Sequence, residues 1–224
     1  MRYQGDGQNM PIAQGKFLAI EGGDGVGKSS IATIIADWLR DQGIGVLHTR
    51  EPGGTPLGER IRALLLESDA DHDGAIVPSA ELLLLFAARC QHIDTHIIPA
   101  LMRGDWVICD RFLHSSYAYQ GGGRGISREK IDVLVKQFCQ AIPDCVFWLD
   151  VPIAVAMARL AARSQYRSRF EQQDALFLQR VYDSYCTLAK NDPTVIRIDA
   201  AGTLESTVLD IQSSIFEQFL HEKK

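Results

Sequence analysis

The chain has 224 residues, of which 46% are hydrophobic and 23% charged, and its formal net charge at pH 7 is −5. These values are typical of a globular protein with a sizeable core. The acidic balance argues against duplex nucleic acid as the main partner, because proteins that bind it usually carry a broad basic surface.

The N-terminal segment 1–15 is polar and contains glycines, which predicts a flexible extension and not a targeting signal. The most apolar run, Leu82 to Ala88, is too short to span a bilayer. The five cysteines are scattered without a CxxC pair, which is typical of buried, reduced thiols. We therefore expect a cytoplasmic protein without membrane binding, with residues 16–224 forming one domain.

The first predicted element is a buried strand from Lys16 to Gly22, which runs into GGDGVGKS at residues 22–29. A G-x-x-x-x-G-K-S motif between a strand and a helix binds the phosphates of a nucleoside triphosphate. Glycines let backbone N–H groups surround a phosphate, and the helix N-terminus adds a positive dipole. Lys28 is expected to contact the β- and γ-phosphates, and Ser29 to bind Mg²⁺. The predicted ATP-binding residues of this segment are Gly22, Gly23, Asp24, Gly25, Val26, Gly27, Lys28, Ser29 and Ser30.

Strands and helices alternate along the rest of the chain. Further apolar runs predict buried strands at Val46–Thr49, Trp106–Asp110, Cys145–Asp150 and Thr194–Asp199. Apolar residues at helical spacing predict a first helix ending near Gly43, a long one from a Ser79 cap to about Met102, others after Ser127 and at Pro152, and a last one along Leu204 to Phe219. This order predicts an α/β fold with a parallel sheet and ligands at the carboxyl ends of its strands.

Two histidines on the long helix, His92 and His96, lie four residues apart. A zinc site would need a third ligand that the sequence does not provide, so we interpret both as polar residues on the helix face.

The strand that ends at Asp110 is followed at once by Arg111. This Asp-Arg pair suits a site that holds a metal beside a substrate phosphate, with Asp110 as a ligand of Mg²⁺. The phosphate loop alone indicates nucleoside triphosphate binding without specifying a reaction. A GTPase is disfavoured because the chain lacks an Asn-Lys-x-Asp box, which leaves a nucleotide kinase or a switch that hydrolyses its nucleotide slowly.

Several segments match one family. TREPGG at residues 49–54, Asp110-Arg111-Phe112, Ser115-Ser116 and AYQGG at residues 118–122, together with the phosphate loop, strongly resemble bacterial thymidylate kinases. The resemblance extends from about Lys16 to the C-terminal helix. It implies a P-loop kinase fold with a five-stranded parallel sheet, a homodimer, and phosphate transfer from ATP with Mg²⁺ to dTMP. Another nucleoside-monophosphate kinase, acting on AMP or GMP, is the alternative among enzymes.

The resemblance also implies roles for single residues. Arg111 and Arg62 look like the arginines that bind the dTMP phosphate, and Arg89 like the one that donates to thymine. Tyr119 looks like the wall beneath the deoxyribose, and Asp24 and Glu51 like acids near the sugar and the metal. The substrate-binding residues so implied are Glu51, Pro52, Arg62, Phe86, Arg89, Arg111, Ser115, Ser116, Tyr119 and Gln120; Lys28, Arg111, Asp24 and Arg169 are the expected catalytic residues.

One position departs from the family pattern. The aromatic residue that stacks on the base commonly lies four residues before the base-reading arginine, where this chain has Leu85. We expect the neighbouring Phe86 to stack on thymine instead, with packing by Leu85 as the alternative.

A basic segment follows the fourth strand. Arg159, Arg163, Arg167 and Arg169 occur there without an acidic residue between them. Like charges four apart on a helix repel each other, and an anionic ligand would relieve this repulsion. The segment could be a solvated surface, but the phosphate loop contains no arginine. We therefore predict a lid at about residues 159–171, in which Arg163 contacts ATP and Arg169 neutralises the transferring phosphate, with Arg163 and Arg167 as alternatives.

Overall fold

The computed structural model describes residues 15–67, 76–162, 170 and 173–220. Its strands are β1 (Phe17–Glu21), β2 (Val46–Arg50), β3 (Trp106–Asp110), β4 (Cys145–Asp150) and β5 (Val195–Asp199). They form one parallel sheet in the order β2-β3-β1-β4-β5. The predicted α/β fold with a five-stranded parallel sheet is confirmed, and each strand lies within a residue of its predicted bounds at either end.

Helices pack on both faces of this sheet. They are α1 (Lys28–Asp41), α2 (Pro56–Glu67), α3 (Pro78–His92), α4 (Ile98–Met102), α5 (Leu113–Ser116), α6 (Arg128–Phe138), α7 (Ile153–Ala161), α8 (Ala175–Asn191) and α9 (Leu204–Ile215). π-Helical segments continue α3 at Ile93–Ile97, α5 at Tyr117–Gly123 and α9 at Phe216–Leu220. No helix in these described ranges is long and apolar enough to cross a membrane.

Most predicted helix boundaries agree with the structure. The first helix ends at Asp41, near Gly43, and α6 follows Ser127 directly. The long predicted helix corresponds to the continuous run from Pro78 to Met102. Its cap was predicted wrongly, because Val77 is the N-cap and Ser79 lies inside the first turn. Proline is favoured at the first helical position, where its missing N–H costs no hydrogen bond.

The two largest apolar clusters of the core lie on opposite faces of the sheet. In β1, Leu18 and Ile20 pack towards α1 and α9, whereas Phe17 and Ala19 pack towards α3 and its continuation. Successive side chains of a strand point to opposite faces, so a strand covered on both sides is apolar throughout.

The strand order brings three loops to one edge of the sheet. The central strand β1 lies between β3 and β4, and β3 also pairs with β2. In this register, Asp110 lies opposite Ile20 on one side and Arg50 on the other. The segments that follow β1, β2 and β3 are therefore neighbours at the carboxyl edge, where α/β folds bind their ligands.

Two predicted segments, the N-terminal extension and the lid, lie largely outside the residues that the structure describes. The N-terminal extension lies outside them, apart from Gly15. The predicted lid is described only at residues 159–162 and at Phe170, so Arg163, Arg167 and Arg169 lie outside the described residues.

Candidate active site

The phosphate loop has the backbone form that its glycines allow. Gly22 has φ 143° and Gly25 has φ 79°, in the region that residues with a side chain rarely adopt. A Cβ atom on Gly22 would lie 2.8 Å from the Leu149 carbonyl oxygen, and one on Gly25 would lie 2.7 Å from the Ala156 carbonyl oxygen. The loop therefore requires glycine here for close packing as well as for backbone conformation.

Lys28 begins α1 and is buried. Its amino group donates a hydrogen bond to the carbonyl oxygen of Gly23, which folds the side chain back across the loop. Burial, followed by the charge of Arg111, lowers its pKa to about 8, and Asp24 and Asp110 partly oppose this shift. A buried cation without full charge compensation favours binding of an anion such as a phosphate.

Asp110, at the end of β3, holds the first turn of α1. The Ser29 hydroxyl donates a hydrogen bond to its Oδ2 atom. Its Oδ1 atom is buried and has no hydrogen-bond partner within the described part of the chain. A serine hydroxyl beside a carboxylate oxygen forms the donor set that Mg²⁺ uses when phosphates and water complete its shell. The predicted ligands, Ser29 and Asp110, are thus in contact.

Arg111 follows directly and has φ 69°, an unusual value for an arginine. Its guanidinium group donates to Asp24 and Tyr119, and also to the Gly22 carbonyl and to Ser115. Burial alone would lower the pKa of Arg111, but Tyr119 and Asp24 raise it well above its usual value. Burial likewise opposes ionisation of Asp24, whose pKa is nevertheless lowered by Arg111 and Lys28. Both groups therefore remain charged beside the phosphate loop.

A cavity of about 200 Å³ opens next to this ion pair. Most of the residues that the family resemblance implied as substrate contacts line it. They are Asp24, Glu51, Pro52, Arg62, Arg89, Arg111, Ser115, Ser116, Tyr119 and Gln120, together with Leu66, Leu85, Phe112 and Phe170. We refer to it as the acceptor cavity.

A second cavity, of about 230 Å³, lies over the phosphate loop. It is mostly polar and is lined by Asp24, Gly25, Gly27, Lys28, Ser29, Ser30, Arg50, Glu51, Arg62, Asp110 and Arg111. Asp24, Glu51, Arg62 and Arg111 line both cavities, so the two are adjacent. Arg62 is half-buried and donates to the Pro52 carbonyl, so its side chain is held where the two cavities meet.

Arg89 lines the acceptor cavity and forms a buried ion pair with Glu51. Its Nε donates to Glu51 over 2.7 Å, and its terminal nitrogens donate to the Ser116 hydroxyl and the Phe112 carbonyl. His92 continues this network, with Nδ1 3.1 Å from Glu51 and Nε2 2.8 Å from the Thr49 hydroxyl. Our interpretation of His92 as a polar residue on the helix face is wrong, because its side chain is fully buried.

The structure corrects the expected stacking residue. Phe86 is only 2% exposed, packs in the core and contacts the Arg89 guanidinium with its ring. Leu85 lines the acceptor cavity, and the aromatic side chains that join it there are Phe112, Tyr119 and Phe170. Adjacent residues on a helix point about 100° apart, and here Leu85 faces the cavity while Phe86 points into the core.

Gln120 lies in a second buried polar cluster. Its amide nitrogen donates to Glu81 over 2.8 Å, and Arg124 also contacts this carboxylate. The Arg124 side chain is only 15% exposed and packs over the Phe177 ring. One buried carboxylate, Glu81, therefore holds both Gln120 and Arg124.

Sequence reasoning missed a further buried carboxylate, Glu21, at the end of β1. It is fully buried and accepts hydrogen bonds from the backbone N–H groups of Phe112 and Ser115 and from the Ser115 and Tyr185 hydroxyls. The feature of the sequence that could have revealed it is an acidic residue at the end of an otherwise apolar strand. These bonds hold the turn that carries Arg111.

Arg159 is the arginine of the basic segment that the structure describes. Its guanidinium group donates to the carbonyl oxygens of Ala200, Ala201 and Gly202. It is therefore bound to the loop between β5 and α9.

Comparisons with known proteins agree with this geometry. A family model described as thymidylate kinase matches residues 20–211. The thymidylate kinase of Alkalilimnicola ehrlichii is 46% identical over 206 residues, covering 91% of this chain and 94% of the relative. The thymidylate kinase of Vesicomyosocius okutanii is 49% identical over 206 residues, covering 90% of this chain and 97% of the relative. A crystal structure of thymidylate kinase from Ehrlichia chaffeensis is 31% identical, with a TM-score of 0.72 and coverage of 90% of this chain and 99% of that one.

Proposed function

The chain belongs to the thymidylate kinase family and phosphorylates dTMP, and we propose that it transfers the terminal phosphate directly from Mg²⁺-bound ATP. The observation that carries this proposal is the adjacency of the two cavities, which share Asp24, Glu51, Arg62 and Arg111. A donor phosphate over the phosphate loop and an acceptor phosphate beside Arg111 would then be neighbours. Such proximity supplies much of the rate enhancement in phosphoryl transfer.

On the donor side, the backbone N–H groups of residues 22–30 and the Lys28 amine bind the ATP phosphates. Ser29 and Asp110 hold Mg²⁺, a choice that the unpartnered Oδ1 atom of Asp110 supports. The ion would neutralise charge on the phosphates. Within the described residues, no three His, Cys, Asp or Glu side chains cluster as a metal cage, which fits an ion bound mainly through phosphate and water.

On the acceptor side, Arg111 and Arg62 bind the dTMP phosphate, because both line the region that the two cavities share. A guanidinium group donates to two phosphate oxygens at once, which orients as well as attracts the phosphate. The ion pair with Asp24 and the bond from Tyr119 to Asp24 keep Arg111 in place.

Arg89, Gln120 and Ser116 bind the base, and Leu85 packs against its face. Arg89 is held by Glu51 and Gln120 by Glu81, so both polar groups are oriented before the nucleotide arrives. Tyr119 is 5% exposed and lies against Phe170, so its ring is held in place for packing against the deoxyribose.

Arg169 remains our proposal for the group that neutralises the transferring phosphate.

We also propose a homodimer, because neighbouring helices expose several large apolar side chains. Helices α2, α3 and α6, with the turn after α6, expose Leu57, Leu64, Leu83, Val133, Phe138 and Ile142. Helix α3 contacts both α2 and α6, and exposed apolar side chains on adjoining helices favour an interaction site. A dimer by light scattering that Leu83→Glu with Phe138→Glu converts to a monomer would support it; a monomeric parent would refute it.

A cytoplasmic location is also proposed. All five cysteines are free, and burial raises the pKa of Cys139 and Cys145 to about 12, which keeps these thiols unreactive.

A substrate panel tests the reaction. ADP release is measured with dTMP, dUMP, dCMP, dGMP, AMP and GMP, and without an acceptor. We expect strong dependence on dTMP, a moderate loss with dUMP, which lacks a single methyl contact, and a large loss with the other bases. Equal rates with dTMP and dGMP or AMP would point to another nucleotide kinase. Release that needs no acceptor would indicate a hydrolase or switch.

A further inference from the structure

Glu81 is a buried acid that the proposed reaction does not use directly. It lies in the first turn of α3 and is fully buried. One of its oxygens accepts a hydrogen bond from the Gln120 amide nitrogen at 2.8 Å. Arg124 approaches both oxygens, with Nε and Nη2 each 3.3 Å away. Glu81 therefore joins Gln120, which lines the acceptor cavity, to the half-buried cation Arg124.

The pairing with Arg124 decides which end of the Gln120 amide faces Glu81. A carboxylate bound to a guanidinium group is ionised and can only accept hydrogen bonds. The amide nitrogen must then face Glu81, because the opposite orientation would bring two acceptor oxygens together. The amide oxygen of Gln120 is consequently the end left for the cavity.

This orientation matters for base recognition. Thymine presents an N3–H donor beside the O4 acceptor, whereas cytosine presents an N3 acceptor beside an amino donor. The Arg89 guanidinium group carries five N–H donors, of which three are directed to Glu51, Ser116 and Phe112. A donor from Arg89 beside an acceptor from Gln120 matches thymine and mismatches cytosine.

We propose that Glu81, held by Arg124, is a positioning residue that fixes the Gln120 amide as an acceptor and so selects thymine over cytosine. The inference rests on the proposed placement of the base between Arg89 and Gln120. Arg124 is itself held by Gln173, 2.8 Å from its Nη1 atom, and by the Phe177 ring, so the charge beside Glu81 is fixed in place.

The test compares kcat/KM for dTMP and dCMP in the full-length protein. Glu81→Gln replaces an acceptor by a group that also donates, so the Gln120 amide can turn either way. The ratio of dTMP to dCMP efficiency should then fall by about 10- to 100-fold, mainly through KM. Glu81→Asp keeps a carboxylate acceptor, so its preference for dTMP over dCMP should fall less than that of Glu81→Gln. In a Gln120→Ala background, Glu81→Gln should change the ratio no further, because its effect acts through Gln120.

Equal losses with both nucleotides in Glu81→Gln would show a purely structural role and overturn the proposal. An unchanged ratio in Gln120→Ala would instead refute the proposed base site, which separates the two failures. If Glu81→Gln does not fold, Arg124→Gln provides a second test. Arg124→Gln removes the guanidinium group that contacts both carboxylate oxygens and so loosens the carboxylate that holds the Gln120 amide, and the ratio should fall again. An unchanged ratio in Arg124→Gln would overturn the proposal.

Discussion

The Ser29 hydroxyl donates a hydrogen bond to Oδ2 of Asp110, which joins the start of α1 to the end of β3. The other oxygen of Asp110 is buried and has no partner in the described ranges, so removing its charge should weaken Mg²⁺ binding. Asp110→Asn should raise the Mg²⁺ concentration needed for half-maximal rate by about 10- to 100-fold.

The matched control is Asp150→Asn. Asp150 is also buried at the end of a strand and also has one oxygen without a partner in the described ranges, but it pairs with Arg197 and does not line the cavity over the phosphate loop. Its replacement should leave the Mg²⁺ dependence unchanged. Identical Mg²⁺ titrations for Asp110→Asn and the parent would rule out Asp110 as a ligand.

Lys28→Met should lose nearly all activity while making the free protein more stable. Burial lowers the pKa of Lys28 from 10.5 to about 8, so the folded state disfavours its charge. Between pH 8 and 10.5 the unfolded chain binds more protons, and the stability of the parent rises with pH through this window. At pH 7 the penalty is fully present, and removing it should stabilise the variant by roughly 3 kcal/mol.

Urea unfolding at pH 7 and pH 10 measures this effect. The difference between Lys28→Met and the parent should shrink as the pH rises towards 10.5. Lys190→Met, at an exposed position on α8, should change neither stability nor rate. Near-normal turnover in a folded Lys28→Met protein would contradict our assignment of the phosphate loop.

Alanine variants of Leu85 and Phe86 should have different effects: the first on binding of dTMP and the second on stability. Leu85 lines the acceptor cavity, so Leu85→Ala should raise KM for dTMP several-fold with a small loss of stability. Phe86 is buried in the core, so Phe86→Ala should lower the free energy of unfolding by about 3–5 kcal/mol. Steady-state kinetics and chemical denaturation of both variants check this, and the reverse pattern would return the stacking role to Phe86.

Arg169→Ala should lower kcat by on the order of 10³-fold with little change in dTMP affinity. The phosphate loop offers Lys28 as a cation but no arginine, and Arg159 is bound to carbonyl groups after β5. Arg159→Ala is therefore the control and should change kcat only slightly. Kinetics of the Arg163, Arg167 and Arg169 alanine variants, with dTMP binding measured separately, decide among them. If all three keep kcat within a few-fold of the parent, the segment is a solvated surface.

The order of strands and helices and the position of the phosphate loop could be predicted from the sequence. These features depend on neighbours within a few residues: the apolar run that ends at Glu21, the glycines of the loop, and the apolar spacing of α1. The position of Arg111 could also be predicted from the sequence, because a residue that follows a buried parallel strand must lie at the carboxyl edge of the sheet.

Tertiary packing determines which side chains face the cavity and which support them. Leu85 and Phe86 are adjacent and both apolar, and only the rotation of α3 against the sheet determines which one meets the ligand. The partners of Glu21, Glu81 and His92 lie tens of residues away along the chain. A buried carboxylate or imidazole is stable only when distant donors and acceptors converge on it, and a pattern of local spacing carries no information about that convergence.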